Sequence, residues 1–300
     1  MSAKERMLGK EHTSVPVHVF FILFGLCCVV PLITVISASL TRETELVTRG
    51  FSLIPRDFDL SAYRYLLRNP AQILNAYKVT IYITAVGTLF GTLFMAMTGF
   101  VLARDKTRVR KVLTWYLFFP TLFSGGLVST YIIMTQYYHL RNNLMAIILP
   151  GLINVFHVFI LRTFFQQLPA PLYDAAKIDG ASEFAIFFRI ALPLSTPSLA
   201  TIAFLNALAK WNDWYSCMLY IDDEKLYTLQ YLLQRMIKSL ETLIYQVRHN
   251  PQLINLNLND LPGENLRMAM LIVAIGPIML FFPFFQKYFT RGLTVGSVKG

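Results

Sequence analysis

Few side chains in this 300-residue chain are arranged for bond-making chemistry. A nucleotide phosphate loop needs Gly-x-x-x-x-Gly-Lys-Ser/Thr, whose backbone amides cradle the phosphates while the lysine neutralises them. No such run occurs, since Gly9-Lys10 is followed by Glu11. His157 has no second ligand at metal spacing and reads as structural, as does the nearby Asn154. Cys27 and Cys28 are adjacent in one apolar run and Cys217 lies in another, so they form no disulfide framework and read as buried thiols. The polar chemistry that remains is recognition. Trp211, Asn212, Asp213 and Trp214 stand together in Lys210-Trp-Asn-Asp-Trp214. Their indoles can stack on the flat face of a ligand and their amide and carboxylate can hydrogen-bond its polar groups. The same residues can equally serve as packing and polar glue between helices. No catalytic residue, no metal site and no cofactor bound by this chain is expected.

The elements that must position these groups are apolar and long. Hydrophobic residues make up 55% of the chain and charged residues only 15%, with a mean hydropathy of +0.50. A soluble domain carries about 25% charged residues. Apolar runs of about 20 residues, the length that crosses a bilayer, fall near Val15–Ile36, Val79–Ala103, Val112–Thr135, Leu144–Phe165, Ser198–Ile221 and Met268–Lys287. The expected fold is therefore an all-α integral membrane protein of six transmembrane helices, one transmembrane domain over residues 1–300. The first run is too long for a signal peptide, and no small-residue cleavage site follows it. The formal charge of +10 does not indicate nucleic acid, because the basic residues sit in short segments between apolar runs.

Those basic residues set the orientation. Arg104, Lys106, Arg108, Arg110 and Lys111 lie between the second and third spans, whereas the next short loop holds only Arg141. The first loop is then cytoplasmic and both termini are cytoplasmic too. Two segments on the other side are long. Ser37–Tyr77 holds one short helix near Ala62–Leu67. Within Asp222–Arg267, Leu229, Leu232, Leu233, Met236, Ile237, Leu240, Leu243 and Ile244 recur at helical spacing. That amphipathic helix either packs on its own bundle or receives an external partner.

The segment over residues 166–193 is more than a connector. Pro171 suits the first turn of a helix, Asp174 lies near its positive end, and Gly180 suits a left-handed stop. Ser182 can cap a second helix with Glu183 in its first turn, and that helix ends before Pro193. Ala175 and Ala176 are small enough for a partner's surface to approach closely. From local physics this helix-turn-helix is either a rigid projection that takes a push or a plain connecting hairpin.

Here the sequence resembles a known family. Asp174-Ala-Ala, three residues, Gly180, nine residues, then Ile190-Ala-Leu-Pro193 is similar to the cytoplasmic "EAA" loop of ABC-importer permeases, written Glu-Ala-Ala, three, Gly, nine, Ile-x-Leu-Pro. Every spacing agrees, and the one departure is Asp174 in place of Glu, which keeps the charge on a shorter side chain. Lys177-Ile-Asp179-Gly-Ala-Ser, Leu194-Ser-Thr-Pro197 and Lys210–Trp214 resemble the carbohydrate-uptake branch, the relatives of maltose permeases. The tail from Gly292 to Gly300 resembles the segment that reaches toward the ATPase subunits in that branch, here with Gly296, Lys299 and Gly300. The long loop over 222–267, ending in Leu261-Pro-Gly-Glu-Asn-Leu-Arg-Met-Ala-Met270, is similar to permeases for oligosaccharides and polysaccharide fragments such as those of alginate or pectin.

The resemblance implies a type I ABC importer permease in the bacterial inner membrane. Asp174, Ala175, Ala176, Lys177, Asp179, Gly180, Ile190, Leu192 and Pro193 would then form the contact to the ATPase. It also implies a second homologous permease, two ATPase subunits holding ATP and Mg, and a periplasmic or extracellular sugar-binding protein. The main sugar site would lie in this subunit or in its partner. A permease for monosaccharides or polyols is the near alternative. A stand-alone ion-coupled secondary transporter is the distant one, disfavoured because no matched pair of interrupted helices is evident. Loop charge does not separate neutral from acidic sugars. Residues 37–77 carry five Lys/Arg against four Asp/Glu, and residues 222–267 five against six.

Overall fold

The computed structural model describes residues 15–104, 110–249 and 263–296. Two compact units are present, one drawn from the described residues of Met1–Arg68 and Leu240–Val273, the other from those of Asn69–Ser239 and Ala274–Gly300. Regular structure among the described residues is helical, and β-pairing is limited to an isolated bridge between Thr41 and Phe58.

The first unit holds α1 (Val15–Ser39), α2 (Glu43–Arg49) and α3 (Ser61–Leu66). The short helix expected near Ala62–Leu67 is α3. Its start is fixed by Asp59, whose carboxylate accepts the Ser61 amide at 3.0 Å. Ser39 and Tyr63 hydroxyls meet at 2.9 Å and Arg42 pairs with Asp57 at 2.9 Å, closing the loop between α1 and α3. Cys27 and Cys28 are exposed, contrary to the expectation of buried thiols. They lie on α1, whose apolar side chains face outward along nearly its whole length, as a lipid-contacting helix requires.

The second unit is built on α4 (Pro70–Ala103), which begins nine residues ahead of the expected span. α5 (Arg110–Leu122) and α6 (Gly126–Ile132) follow, the latter running into a widened turn at Ile133–Tyr137. Next come α7 (Met145–Ile148), α8 (Val155–Gln167), α9 (Ala170–Ile178) and α10 (Glu183–Ile186). Then follow α11 (Leu192–Leu194), α12 (Thr196–Trp211) and α13 (Tyr215–Tyr220). α14 (Leu229–His249) and α15 (Glu264–Gly296) contribute residues to both units.

Among the described residues three helices are long and apolar enough to cross a membrane, Val15–Ser39, Pro70–Ala103 and Glu264–Pro283. The count would reach five if each of two bent pairs were one span: Arg110–Leu122 with Gly126–Tyr137, at 116°, and Glu183–Leu194 with Thr196–Trp211, at 83°. Several runs read as continuous are therefore interrupted. The run Leu144–Phe165 breaks after α7 at Pro150-Gly151 and restarts where Asn154 Oδ1 accepts the Phe156 and His157 amides at 3.0 and 3.3 Å. α8 alone spans only about 20 Å at ~1.5 Å per residue, short of a ~30 Å hydrocarbon core. The run Ser198–Ile221 stops at Trp211 and resumes after Asp213 Oδ1 accepts the Ser216 amide at 2.9 Å. The sequence reading took each of these runs as one helix, and the structure interrupts them. The interruptions stay hidden because capping side chains sit inside apolar stretches without changing their hydropathy.

α4 packs along α8 and α12. Close contact depends on Gly91, where a Cβ would lie 2.7 Å from Asn206 Nδ2 and 2.8 Å from the Leu152 carbonyl. Small residues at such crossings let membrane helices approach without a hydrophobic driving force. The unit's core gathers Met95, Phe100, Val158, Leu161, Phe165, Ile186, Phe187 and Ile202, residues of α10 and the turn after it included.

Candidate functional site

The Asp174–Pro193 segment folds as a helical hairpin. α9 has its proline at the first turn and is followed, after Asp179, by Gly180, whose φ of +77° is open to glycine at no steric cost. Ser182 Oγ accepts the Ala185 amide at 3.2 Å and starts α10 with Glu183 in its first turn. These features match the sequence reading. One does not: the second helix does not stop before Pro193. A widened turn over Phe187–Ala191, in which the Leu192 amide donates to the Phe187 carbonyl, carries the helical path through Pro193 to Leu194. Such a turn relaxes the ladder ahead of a residue that cannot donate. Only Ser195 then separates the hairpin from α12.

The hairpin has an inner and an outer face. Asp174, Ala175, Lys177, Asp179 and Gly180 are exposed, Ile190 and Leu192 are half-buried, and Pro193 is exposed. Ala176 turns inward and is 9% exposed. Its small size therefore serves contact with its own core, not a partner. Tyr173 is buried beside it, edge-on to Phe100 at 6.1 Å, and Phe100 also meets Phe165 and Phe187 at 5.8 and 5.3 Å. On the outer face, Ile178 is 86% exposed and Phe184 66%.

Polar contacts stitch the two limbs. Lys177 Nζ of α9 lies 2.6 Å from Glu183 Oε1 of α10 across the Gly180 turn, and Arg104 approaches the same oxygen at 3.7 Å. Burial is the largest influence on Glu183 and pushes its carboxyl up. The Lys177 hydrogen bond and the charges of Arg104 and Lys177 together outweigh it and leave the carboxyl below its ordinary range. Sequence reasoning assigned Arg104 to membrane orientation and missed this contact. Nothing local marks it, because Glu183 comes from far along the chain.

The four recognition residues are brought together only in part. Trp211 is buried and donates its indole N–H to the Ala274 carbonyl at 3.0 Å. Asp213 caps α13, and Asn212 donates to the Leu208 carbonyl at 2.9 Å. Trp214 is half-buried, with its ring against Tyr215. The Trp211 indole N–H and one Asp213 carboxylate oxygen are thus spent on the chain's own backbone. Trp211 nevertheless borders a cavity of about 710 Å³ walled by α4, α12 and α15. Its lining is apolar apart from Thr84, Thr88, Thr92 and Thr196. The first three follow one another at helical spacing, and their hydroxyl oxygens are buried with no hydrogen-bond partner among the described residues.

Two further polar residues inside the bundle were missed. Asn206 donates to the Gly87 carbonyl at 3.3 Å, and Lys210, buried at 5% exposure, donates to the Ile147 and Ile148 carbonyls at 2.9 and 3.0 Å. Their signal was present, since a charge within an apolar run must find partners. Of the tail residues, Gly296 closes α15, while Lys299 and Gly300 lie outside the described residues.

Residues 87–295 match the family described as "Binding-protein-dependent transport system inner membrane component". The chain is 35% identical over 285 residues to the polygalacturonan/rhamnogalacturonan transport system permease protein YtcP of Bacillus subtilis, covering 95% of this chain and 97% of that one. It is 38% identical over 277 residues to protein LplC of the same organism, covering 92% and 91%. Among solved structures it is similar to a chain of a bacterial ABC transporter involved in the import of the acidic polysaccharide alginate. That match has a TM-score of 0.76 and 27% identity, and covers 96% of this chain and 99% of that one. The chain belongs to the binding-protein-dependent transport family and is a multi-pass inner-membrane component of an ABC transporter.

Proposed function

We propose that this family member is the membrane-spanning permease subunit of an ATP-driven importer of oligosaccharides or polysaccharide fragments. Its hairpin at residues 174–193 would dock on a separate ATPase subunit. The observation that carries the reading is the hairpin's outer face. Ile178 and Phe184 stand exposed on a projection whose other side is locked into the core. Large apolar groups on an exposed, rigid projection call for a covering partner. The spacing shared with the importer loop supplies the partner's identity.

In this reading the hairpin faces the cytoplasm, both termini share that side, and the chain contributes six spans. ATP and Mg stay on two ATPase subunits. Closure of those subunits pushes the hairpin, and α12 moves with it because only Ser195 intervenes. The cavity beside α12 is too apolar for a sugar site by itself. It suits helices of a second permease, with the Thr84, Thr88 and Thr92 hydroxyls available along the shared path. A binding protein delivers the sugar from the far side, and the bundles rock between inward-open and outward-open forms. The polymers in the names of two relatives, polygalacturonan/rhamnogalacturonan and alginate, support an oligosaccharide substrate and favour acidic sugars.

Gly180→Pro tests this. Proline fixes φ near −65°, against +77° at this position, so the turn breaks while the surrounding helices keep their sequence. The proposal expects loss of ATPase copurification and of oligogalacturonide uptake in membranes that still contain the chain. Unchanged copurification and uptake would exclude the hairpin as the docking element.

A further inference from the structure

Arg104 occupies the meeting point of three elements within one compact unit. It leaves α4 in an extended conformation, with φ −82° and ψ 116°. Its guanidinium carbon lies 4.4 Å from the ring centroid of Tyr173 on α9 and 5.7 Å from that of Phe100 on α4. A guanidinium nitrogen lies 3.7 Å from Glu183 Oε1 at the start of α10, and Glu183 also holds Lys177 of α9. The Arg104 side chain is only 19% exposed. A residue whose sole task was to bias membrane orientation would need nothing beyond a solvated charge.

Most of the other contacts between hairpin and bundle among the described residues are of a different kind, the exception being the Tyr173 hydroxyl, which donates to the Phe165 carbonyl of α8 at 3.5 Å. Phe100, Phe165, Phe187 and Ala176 meet through flat or small apolar surfaces, which hold elements together without fixing direction. A guanidinium stacked on a ring and facing a carboxylate has a set orientation, because its planar fork is rigid. Displacement of α9 and α10 relative to α4 therefore meets its directional resistance at Arg104. α4 is also a wall of the cavity, through Ala85, Thr88, Thr92 and their neighbours.

We propose that Arg104 is the positioning residue that passes movement of the α9–α10 hairpin to α4, and so to the cavity wall. The inference rests on the coupling reading of the hairpin given above. It adds a second route, since α12 is joined to the hairpin by the chain itself while α4 is joined by this side chain. Removal of the guanidinium should leave α12 driven and α4 lagging, so that ATP is spent without a full change of access.

The test uses the complete importer in proteoliposomes, with Cys27, Cys28 and Cys217 replaced by alanine and Ala85→Cys as a reporter on the α4 wall. Maleimide labelling of the reporter is compared with and without ATP and vanadate, alongside ATP hydrolysis. Arg104→Gln should keep assembly and basal hydrolysis while the nucleotide-dependent change in labelling falls at least about fivefold, the low end of ordinary site-to-site coupling. Arg104→Lys, which keeps the charge without the planar fork, should fall in between. Tyr173→Leu, which removes the ring and leaves Arg104 in place, should reproduce the loss if Arg104→Gln fails to assemble. An unchanged labelling response in Arg104→Gln, or in Tyr173→Leu, overturns the inference and leaves the coupling reading standing. Absence of any nucleotide response in the parent complex overturns both.

Discussion

The Lys210 ammonium on α12 lies 2.9 Å from the carbonyl oxygen of Ile147 at the end of α7. A second bond of 3.0 Å reaches Ile148. The last carbonyls of a helix have no partner in their own ladder, and α7 has only four residues. Lys210 therefore completes a helix too short to hold itself and ties it to α12. Asn206, one turn earlier on α12, bonds the Gly87 carbonyl of α4. One face of α12 thus carries polar ties to both neighbours, while Trp211 lies by the cavity.

Lys210→Met should lower the folded protein's stability by about 1–3 kcal/mol, the usual cost of leaving buried polar groups without their donor. Side-chain length is kept, so packing against α4 changes little. Thermal unfolding in detergent measures the loss, and hydrogen exchange at the Leu149 amide, which bonds Met145, should quicken. Unaltered exchange there would mean that α7 does not need the lysine.

The start of α15 makes a second prediction. Glu43 accepts the Glu264 and Asn265 amides at 2.9 and 3.0 Å, placing a carboxylate on a helix N-terminus. A Cβ at residue 263 would lie 2.7 Å from Glu43 Oε1, so Gly263 leaves the room. Glu43→Ala should cost up to about 2 kcal/mol, as helix-end charges do in favourable settings. Gly263→Ala should also destabilise, by pushing the carboxylate off its amides. In the Glu43→Ala background the Gly263→Ala effect should shrink, a coupling of about 0.5–3 kcal/mol in a double-mutant cycle. Strict additivity would contradict the cap.

The hairpin's acid response follows from Glu183, whose carboxyl is held below its ordinary range in the fold. A lowered folded value means that the contribution is present above the unfolded value, about 4.3 for glutamate. It is lost as pH falls through the folded value. Protease cleavage near Gly180 in detergent should therefore stay slow at neutral pH and rise only below about pH 4.3. Lys177→Ala should move that rise toward higher pH. An onset unaffected by Lys177→Ala would show that the pair does not govern the hairpin's closure.

Much of the hairpin is legible because its signals are local. Gly180, Ser182 and Pro171 each act within a turn of themselves, and the structure uses them as their types require. The long apolar elements are legible for a related reason, since hydropathy sums over many residues. The breaks inside them are not. Asn154 accepts two nearby amides and Asp213 one where helices stop and restart, an effect too small to alter a run's mean hydropathy. Arg104 is hidden differently, because its role depends on Tyr173 and Glu183 arriving from far along the chain. Ala176 shows the converse error: its size was read correctly and its direction was not, because one residue of helical register separates the outer face from the core.

Docking of the hairpin is tested most directly at Ile178, the most exposed large apolar side chain on it. A photocrosslinking residue placed there, in membranes containing the whole importer, should join this chain to an ATPase subunit on illumination, and the adduct should block ATP-driven uptake. The same probe at Phe281 on α15, a residue of the cavity lining, should give no ATPase adduct. Crosslinking at 178 only to lipid or to no protein, with uptake unchanged after illumination, would contradict the account.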